Sequence, residues 1–313
     1  MRVAVIDIGS NTIKLLVAAR APAGAITTVR YAVEEARIGR GLGDARPTLT
    51  PESLARGLAA VQNLLALATA DGPTQVALVA TSAVRDAANG AEFATLIERA
   101  TGHRVRILSG QEEADYIGRG LAADPALAGA RDFYLFDLGG GSLECLEFRN
   151  GRRAQSVSVP LGCVRLTERC VRDPAAPFTA SNRADVVAVV REAFSGDSPP
   201  FRFTLPSPAA AVATGGTVTT VRGMLAAVRG ARLEEQGPAV AVGDLESLLA
   251  RTAALPLAAR RDLPALPPAR ADVFPTALAT LLEVARLAHV DRMIHSFYNL
   301  RYGVADEMLA RSP

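Results

Sequence analysis

"FDLGGGSLECLEF", residues 136–148, places three consecutive glycines between Asp137 and Glu144, with strand-forming residues on both sides. A Walker phosphate loop needs GxxxxGK[ST], and a dinucleotide fingerprint needs GxGxxG opening a helix. Neither spacing occurs, and "LECLEF" reads as a second strand. The stretch is therefore a hairpin of strand, small-residue turn and strand. Near the N-terminus, "DIGSNTIKLLV" from Asp7 superposes on it without a gap at an offset of 130 residues. Asp7 matches Asp137, Gly9 matches Gly139, Thr12 matches Ser142, Ile13 matches Leu143 and Leu16 matches Leu146. Each half opens with the same unit. The natural architecture is two like α/β domains facing across a cleft, with one turn from each pointing into it. We place the domains at 1–124 and 125–313, the last helix packing back on the first.

The rest of the chain alternates strands with helices, as an α/β layer fold requires. Thr50 and Pro51 cap a helix in which Leu54, Leu58, Val61 and Leu65 recur at helical spacing. Strands are predicted at 75–81 and 104–110 and helices at 90–102 and 111–122. In the second half, helices are expected near 162–172, 183–195, 217–228, 244–254 and 270–288. Strands there fall near 154–160, 209–213 and 290–297.

The bulk numbers exclude several classes of function. The 313 residues are 49% apolar, enough for a sizeable core, and the formal charge of +2 does not suit a nucleic-acid binder. Lys14 is the single lysine, so other anion contacts fall to arginine, whose fork binds phosphate bidentately. Cys145, Cys163 and Cys170 form no CxxC, which argues against a disulfide framework or zinc site and for a reducing cytoplasm. The N-terminus runs directly into a strand rather than a signal peptide, and no apolar run approaches the ~18 residues of a membrane helix.

Turns of Gly, Ser, Thr and Asn free several backbone N–H groups and let an anion approach closely. Ser10, Asn11 and Thr12 form one such turn, and Gly139, Gly140, Gly141 and Ser142 the other. Together they suit a polyanionic phosphate chain. Asp7, Asp137 and Glu144 beside them would repel that chain unless a hard cation intervened, and Mg²⁺ takes one or two carboxylates plus phosphate oxygens and water. In "SGQEEADYIG", Glu112 and Glu113 occupy a helix's first turn, where the dipole favours acids and where one could act as general base toward water. In "ATSAVRDAANG", Thr81 and Ser82 end a strand and Arg85 begins a helix, at the strand end where open α/β sheets bind ligands. "VATGGTVTTV" repeats the theme, with Gly215, Gly216 and Thr217 at a helix N-terminus suited to an anion.

This set of motifs resembles the exopolyphosphatase / guanosine pentaphosphate phosphohydrolase (Ppx/GppA) family, of the actin, sugar kinase and Hsp70 superfamily with two ribonuclease-H-like domains. The matches span nearly the whole chain: "DIGSNTIKLLV", "RIGRGL" (37–42), "ATSAVRDAAN", "ILSGQEEA", "FDLGGGSLE", "VPLGCVRLTE" (159–168), "ATGGT", "LPPARADV" (266–273) and "SFYNLRYG" (296–303). The resemblance implies that Glu113 is the catalytic carboxylate and that Asp137 and Glu144 ligate magnesium. It also implies that Arg85 contacts phosphate, with Lys14 as a further cation near the first turn. The chain departs from the family at Leu143, where threonine is usual and whose loss takes a hydroxyl from the phosphate site. Phe297, Asn299 and Tyr302 stand where the family has acid, glycine and acid. The length resembles the short two-domain class, without the added helical region of long members; a homodimer remains open.

The expected activity is Mg²⁺-dependent release of orthophosphate from the end of inorganic polyphosphate, with Glu113 as general base. The alternatives are removal of the 5′ γ-phosphate of pppGpp, a sugar or acetate kinase on the same fold, and a non-enzymatic sensor of polyphosphate or (p)ppGpp.

Overall fold

The computed structural model describes residues 1–22, 24–41 and 47–311; Leu42, ending "RIGRGL", and Pro313 lie outside the described residues. The chain forms two compact units, Met1–Gly129 with Tyr298–Pro313, and Ala130–Phe297.

The first unit begins with the hairpin β1 (Arg2–Ile8) and β2 (Ile13–Arg20), followed by β3 (Ile26–Glu34), helix α1 (Pro51–Ala70) and β4 (Gln75–Ala80). Then come α2 (Ser82–Asp86), α3 (Gly90–Thr101), β5 (Val105–Ile107) and α4 (Gly110–Ala122). The sheet order is β3-β2-β1-β4-β5, antiparallel across the first three strands and parallel thereafter. Thr50 caps α1 by accepting from Ser53 N at 3.2 Å, with Pro51 in the first turn, a cap worth about 1 kcal/mol. Val61 and Leu64 of α1 and Phe93 and Ile97 of α3 bury against Ile6, Ile8, Leu15 and Leu78 on one face of the sheet.

The second unit repeats the plan with β6 (Phe133–Leu138), β7 (Leu143–Arg149), β8 (Arg152–Val159), α5 (Cys163–Cys170), α6 (Ala180–Ala193), β9 (Ala211–Thr214) and α7 (Gly216–Val228). It continues through β10 (Ala239–Ala241), α8 (Val242–Ala253), α9 (Leu257–Arg261), α10 (Phe274–Leu287) and β11 (Arg292–His295). Its sheet runs β10-β11-β9-β6-β7-β8, so β8-β7-β6-β9-β11 reproduces the order of the first unit. This is the ribonuclease-H-like pattern twice, as the internal repeat predicts.

The final helix α11 (Leu300–Ala310) belongs to the first unit. It crosses α4 closely enough that a Cβ on Gly303 would overlap Tyr116 O, and one on Gly120 would overlap Asn299 O. Gly303 of "SFYNLRYG" is therefore a packing requirement. Tyr302, where the family has an acid, packs against the Tyr298 ring at 4.2 Å in a tilted arrangement and shares a hydrogen bond with Thr28 Oγ1 at 2.7 Å.

Several elements differ from the sequence expectations. β3 is an edge strand whose exposed and half-buried residues carry no apolar run, which hid it from periodicity. β10 and α9 are too short to carry a period, and α11 buries residues on several sides of its first turns, leaving no clean apolar stripe. The strand expected over 104–110 contracts to three residues because Ser109 turns away to cap α4. Arg85 does not begin a helix; it lies in the last turn of the five-residue α2.

Candidate active site

The two hairpin turns have the same internal geometry. Gly9 N donates to Thr12 O at 3.2 Å, and Gly139 N donates to Ser142 O at 3.0 Å. In both, a following segment ties back the turn's carbonyls. Gly39 N and Arg37 N donate to Ser10 O (2.7 Å) and Asn11 O (2.9 Å). In the second unit, Cys163 N donates to Gly139 O (3.0 Å), and Val164 N and Arg165 N donate to Gly140 O (2.8 and 3.2 Å). Arg165 Nε donates to Gly141 O at 3.0 Å. Carbonyls held in this way in a turn of small residues are the backbone arrangement on which anion-binding nests are built. "RIGRGL" and "VPLGCVRLTE" thus act as backings of the turns. Gly162 has to be glycine because its Cβ would overlap the backbone of Gly140 and Gly141. Asn11 is buried, and neither polar atom of its side-chain amide has a hydrogen-bond partner among the described residues. A buried unsatisfied amide costs about 1–3 kcal/mol, and a phosphate oxygen would relieve the Nδ2 donor by accepting from it.

In the first unit, the first turn sits at the C-terminal ends of β1 and β4. Thr81 N donates to Ile8 O at 3.3 Å, and Ser10 Oγ and Ser82 Oγ lie 3.3 Å apart. The structure separates the two acids of "SGQEEA". Glu112 completes a capping box, accepting from Ser109 N (2.9 Å) and Ser109 Oγ (2.8 Å), and pairs with Arg106. The Arg106 contact, then the Ser109 bonds, depress its carboxyl to about 2. Glu113 is buried and accepts from Arg85 Nη1 at 2.7 Å, while the same Nη1 donates to Leu108 O at 3.1 Å.

The residues facing each acid across the hairpins distinguish the two turns. Asp7 lies directly opposite Lys14, and its Oδ2 accepts from the buried Arg301 at 3.1 Å. Asp137 lies directly opposite Glu144, at the position that Lys14 occupies in the first hairpin. Two carboxylates directly opposite on adjacent strands repel, and Glu144 is buried, not the solvent-facing residue of an ordinary strand. Ser158 Oγ donates to Glu144 Oε1 at 2.7 Å. An all-oxygen, doubly acidic pair fits a hard divalent cation. Among the described residues no cluster of three or more His, Cys, Asp or Glu could hold a metal alone, so any cation here would complete its shell with water and phosphate oxygens.

Gly215 has φ +90°, and its Cβ would overlap Asp137 Oδ1, so glycine here lets the α7 N-terminus approach that carboxylate. Thr217 is buried in the first turn of α7, and Thr214 Oγ1 just before it is buried without a hydrogen-bond partner among the described residues. Sequence reasoning missed Arg270, whose guanidinium covers Gly216 so closely that a Cβ there would overlap it. The signal lay in "LPPARADV", a matched stretch whose arginine had no visible role until folded.

Leu143 corrects an expectation. It is fully buried in the core of the second unit, on the face of β7 opposite to Glu144. A threonine hydroxyl there would enter the core and would not reach a phosphate.

A family model described as the Ppx/GppA phosphatase family matches residues 16–312. The chain belongs to this family. It is 32% identical to exopolyphosphatase 2 of Mycobacterium tuberculosis, over 97% of both chains. It is 28% identical to the guanosine-5'-triphosphate,3'-diphosphate pyrophosphatase of Pseudoalteromonas translucida, over 98% of this chain but 59% of that longer one. The crystal structure of an exopolyphosphatase from Cytophaga hutchinsonii superposes with a TM-score of 0.88 at 23% identity, covering 100% of this chain and 99% of the other. That likeness establishes the Ppx/GppA fold. Among the described residues no helix is long and apolar enough to cross a membrane.

Proposed function

We propose that this protein hydrolyses the terminal phosphoanhydride of inorganic polyphosphate, releasing orthophosphate. The observation that carries the reading is the same tied-back geometry in the turn of each unit, together with a buried carboxylate held by an arginine in the first unit. Glu113 orients the attacking water and takes its proton, and the Arg85 bond to Oε2 holds its carboxylate in place. Ser10, Asn11, Thr12 and Lys14 in one unit, and Gly139, Gly140, Gly141, Ser142, Gly215, Gly216 and Thr217 in the other, hold phosphate oxygens. Arg270 over Gly216 adds a guanidinium to the second set. Asp137 and Glu144 hold Mg²⁺, which when bound neutralises phosphate charge, and Asp7 stands as the corresponding acid of the first turn. Positioning and electrostatics supply most of the catalysis in phosphoryl transfer. The three unpaired thiols suit a reducing cytoplasm.

The test is orthophosphate release from polyphosphates of defined length with Mg²⁺ and no acceptor. Release by the wild type that is lost in Glu113→Gln supports the reading. Metal-dependent binding without turnover would make the protein a sensor, and a requirement for an acceptor would make it a kinase.

A further inference from the structure

Arg260 is the largest fully buried side chain among the described residues, and the proposed reaction has no use for it. It belongs to α9, the single helical turn that precedes "LPPARADV". Its planar fork binds backbone. Nη1 donates to Ala271 O (3.0 Å), and Nη2 donates to Pro174 O (2.9 Å) and Ala176 O (2.7 Å). Nε is buried with no hydrogen-bond partner among the described residues. Burial pushes the guanidinium below its usual range, and the Asp272 charge offsets this only in part. An apolar side chain of this size would fill the same space without burying a charge. What the guanidinium adds is its hold on three carbonyls.

Those carbonyls mark where it acts. Ala271 directly follows Arg270, in a stretch built of isolated turns. Leu266 N donates to Leu263 O (3.2 Å), Arg270 N to Pro267 O (2.8 Å) and Val273 N to Arg270 O (3.1 Å). Ala265 among them has φ +62°, in the left-handed region that favours glycine. Bonds of this kind close single turns and do not fix the stretch against the rest of the unit. Arg260 does fix it, by joining Ala271 O to the 174–176 carbonyls; Leu257 N, at the start of α9, donates to Ala175 O (2.8 Å) in that same segment. The residue held at the end of this brace is Arg270, whose guanidinium covers Gly216 so closely that a Cβ there would overlap it. The Arg270 charge also acts on the Cys163 thiol, against the burial that pushes that group to about 11, and Cys163 N donates to Gly139 O. Arg270 is therefore near both turns of the second unit.

We infer that Arg260 is a positioning residue, whose buried fork holds the 268–271 turn so that the Arg270 guanidinium stays over Gly216 and meets a phosphate oxygen there. The inference rests on reading the Gly215–Gly216 turn as phosphate-holding. An arginine on an untethered turn would have to be ordered each time substrate arrives, and one already in place binds without that loss. Arg260 itself touches no substrate, so its effect falls on phosphate affinity and passes through Arg270. Lysine cannot substitute in full, because a compact ammonium does not reproduce a planar fork spanning two segments.

The test is a double-mutant cycle on calorimetric binding of inorganic tripolyphosphate, in the Glu113→Gln protein so that the ligand is not consumed. Each titration is run well below the melting temperature of the variant. Arg270→Met should weaken binding about ten-fold or more, the scale of a hydrogen bond to a charged group. Arg260→Met should weaken it comparably, and the double variant should bind no more weakly than Arg270→Met alone. Unchanged affinity in Arg260→Met, with only the melting temperature lowered, would make Arg260 a packing residue and overturn the inference. Losses that multiply in the double variant would overturn it too. If Arg260→Met does not fold, Arg260→Lys carries the same cycle, with a smaller loss that again vanishes in the Arg270→Met background. If Arg270→Met leaves tripolyphosphate affinity unchanged, the phosphate reading of the Gly216 turn fails. The brace is then judged by the crystal structure of Arg260→Lys: Arg270 displaced from Gly216 supports it, and Arg270 still in place overturns it.

Discussion

Arg85 Nη1 donates to Glu113 Oε2 at 2.7 Å, while the neighbouring Glu112 is tied to Arg106 and to its own helix cap. Adjacent acids of one motif thus have opposite employments. Glu113→Gln should keep the fold and lower kcat by roughly 10²–10⁴, the scale of a general base. Glu112→Gln should leave kcat near wild type and cost about 1 kcal/mol through the weakened cap. Steady-state rates and thermal melts of both variants check this; the reverse pattern would show Glu112 to be the base.

Asp137 and Glu144 face each other across β6 and β7. Relief of their repulsion should make metal-free Glu144→Gln more stable than the metal-free wild type, by about 0.2–1 kcal/mol. Mg²⁺ should raise the melting temperature of the wild type and not of the variant. Melts with EDTA and with Mg²⁺ decide it, and an equal Mg²⁺ shift in both proteins would place the cation elsewhere.

Gly162 supports the second turn from behind, where a Cβ would overlap Gly140 and Gly141. Gly162→Ala should cost about 1–3 kcal/mol by overpacking and should raise KM for polyphosphate as the turn is displaced. Gly151→Ala is the control. It has φ +73° but open space around its Cβ, and should cost about 1 kcal/mol without touching KM.

Leu143→Thr would restore the family's residue at a fully buried core position. It should leave KM unchanged and lower stability by about 3 kcal/mol, from lost burial and a hydroxyl placed among apolar groups. A gain in substrate affinity would contradict the side-chain direction seen here.

His295 is held to about 3 by burial and by the adjacent Arg222. Its folded value lies below the unfolded one near 6.5, so the unfolded chain takes up the proton first. The neutral ring's contribution is fully present above pH 6.5 and is lost as pH falls from there toward 3. The loss is about 2 kcal/mol by pH 5. Urea midpoints at pH 7 and 5 should show this fall, and it should shrink in His295→Asn.

Much of the site was legible in the sequence. The match of Asp7–Val17 with Asp137–Glu147 predicted two units of one plan, and both hairpins form. Glycine triplets, caps and short-range turns are legible because they depend on neighbours a few residues away. β3, β10 and α9 were not, since an edge strand or a single helical turn takes its conformation from what it pairs with.

The sequence by itself determined the repeat, the two phosphate-type turns, the candidate acids and the kinship of the chain. The tertiary structure alone decided which of Glu112 and Glu113 is buried against Arg85. It alone opposed Lys14 to Asp7 but Glu144 to Asp137, turned Leu143 into the core, and brought Arg270 over Gly216. The physical reason is common to all of these. A side chain's chemistry is written locally, but its partner, its solvent exposure and the face it occupies are set by strand register and packing between residues far apart in the chain.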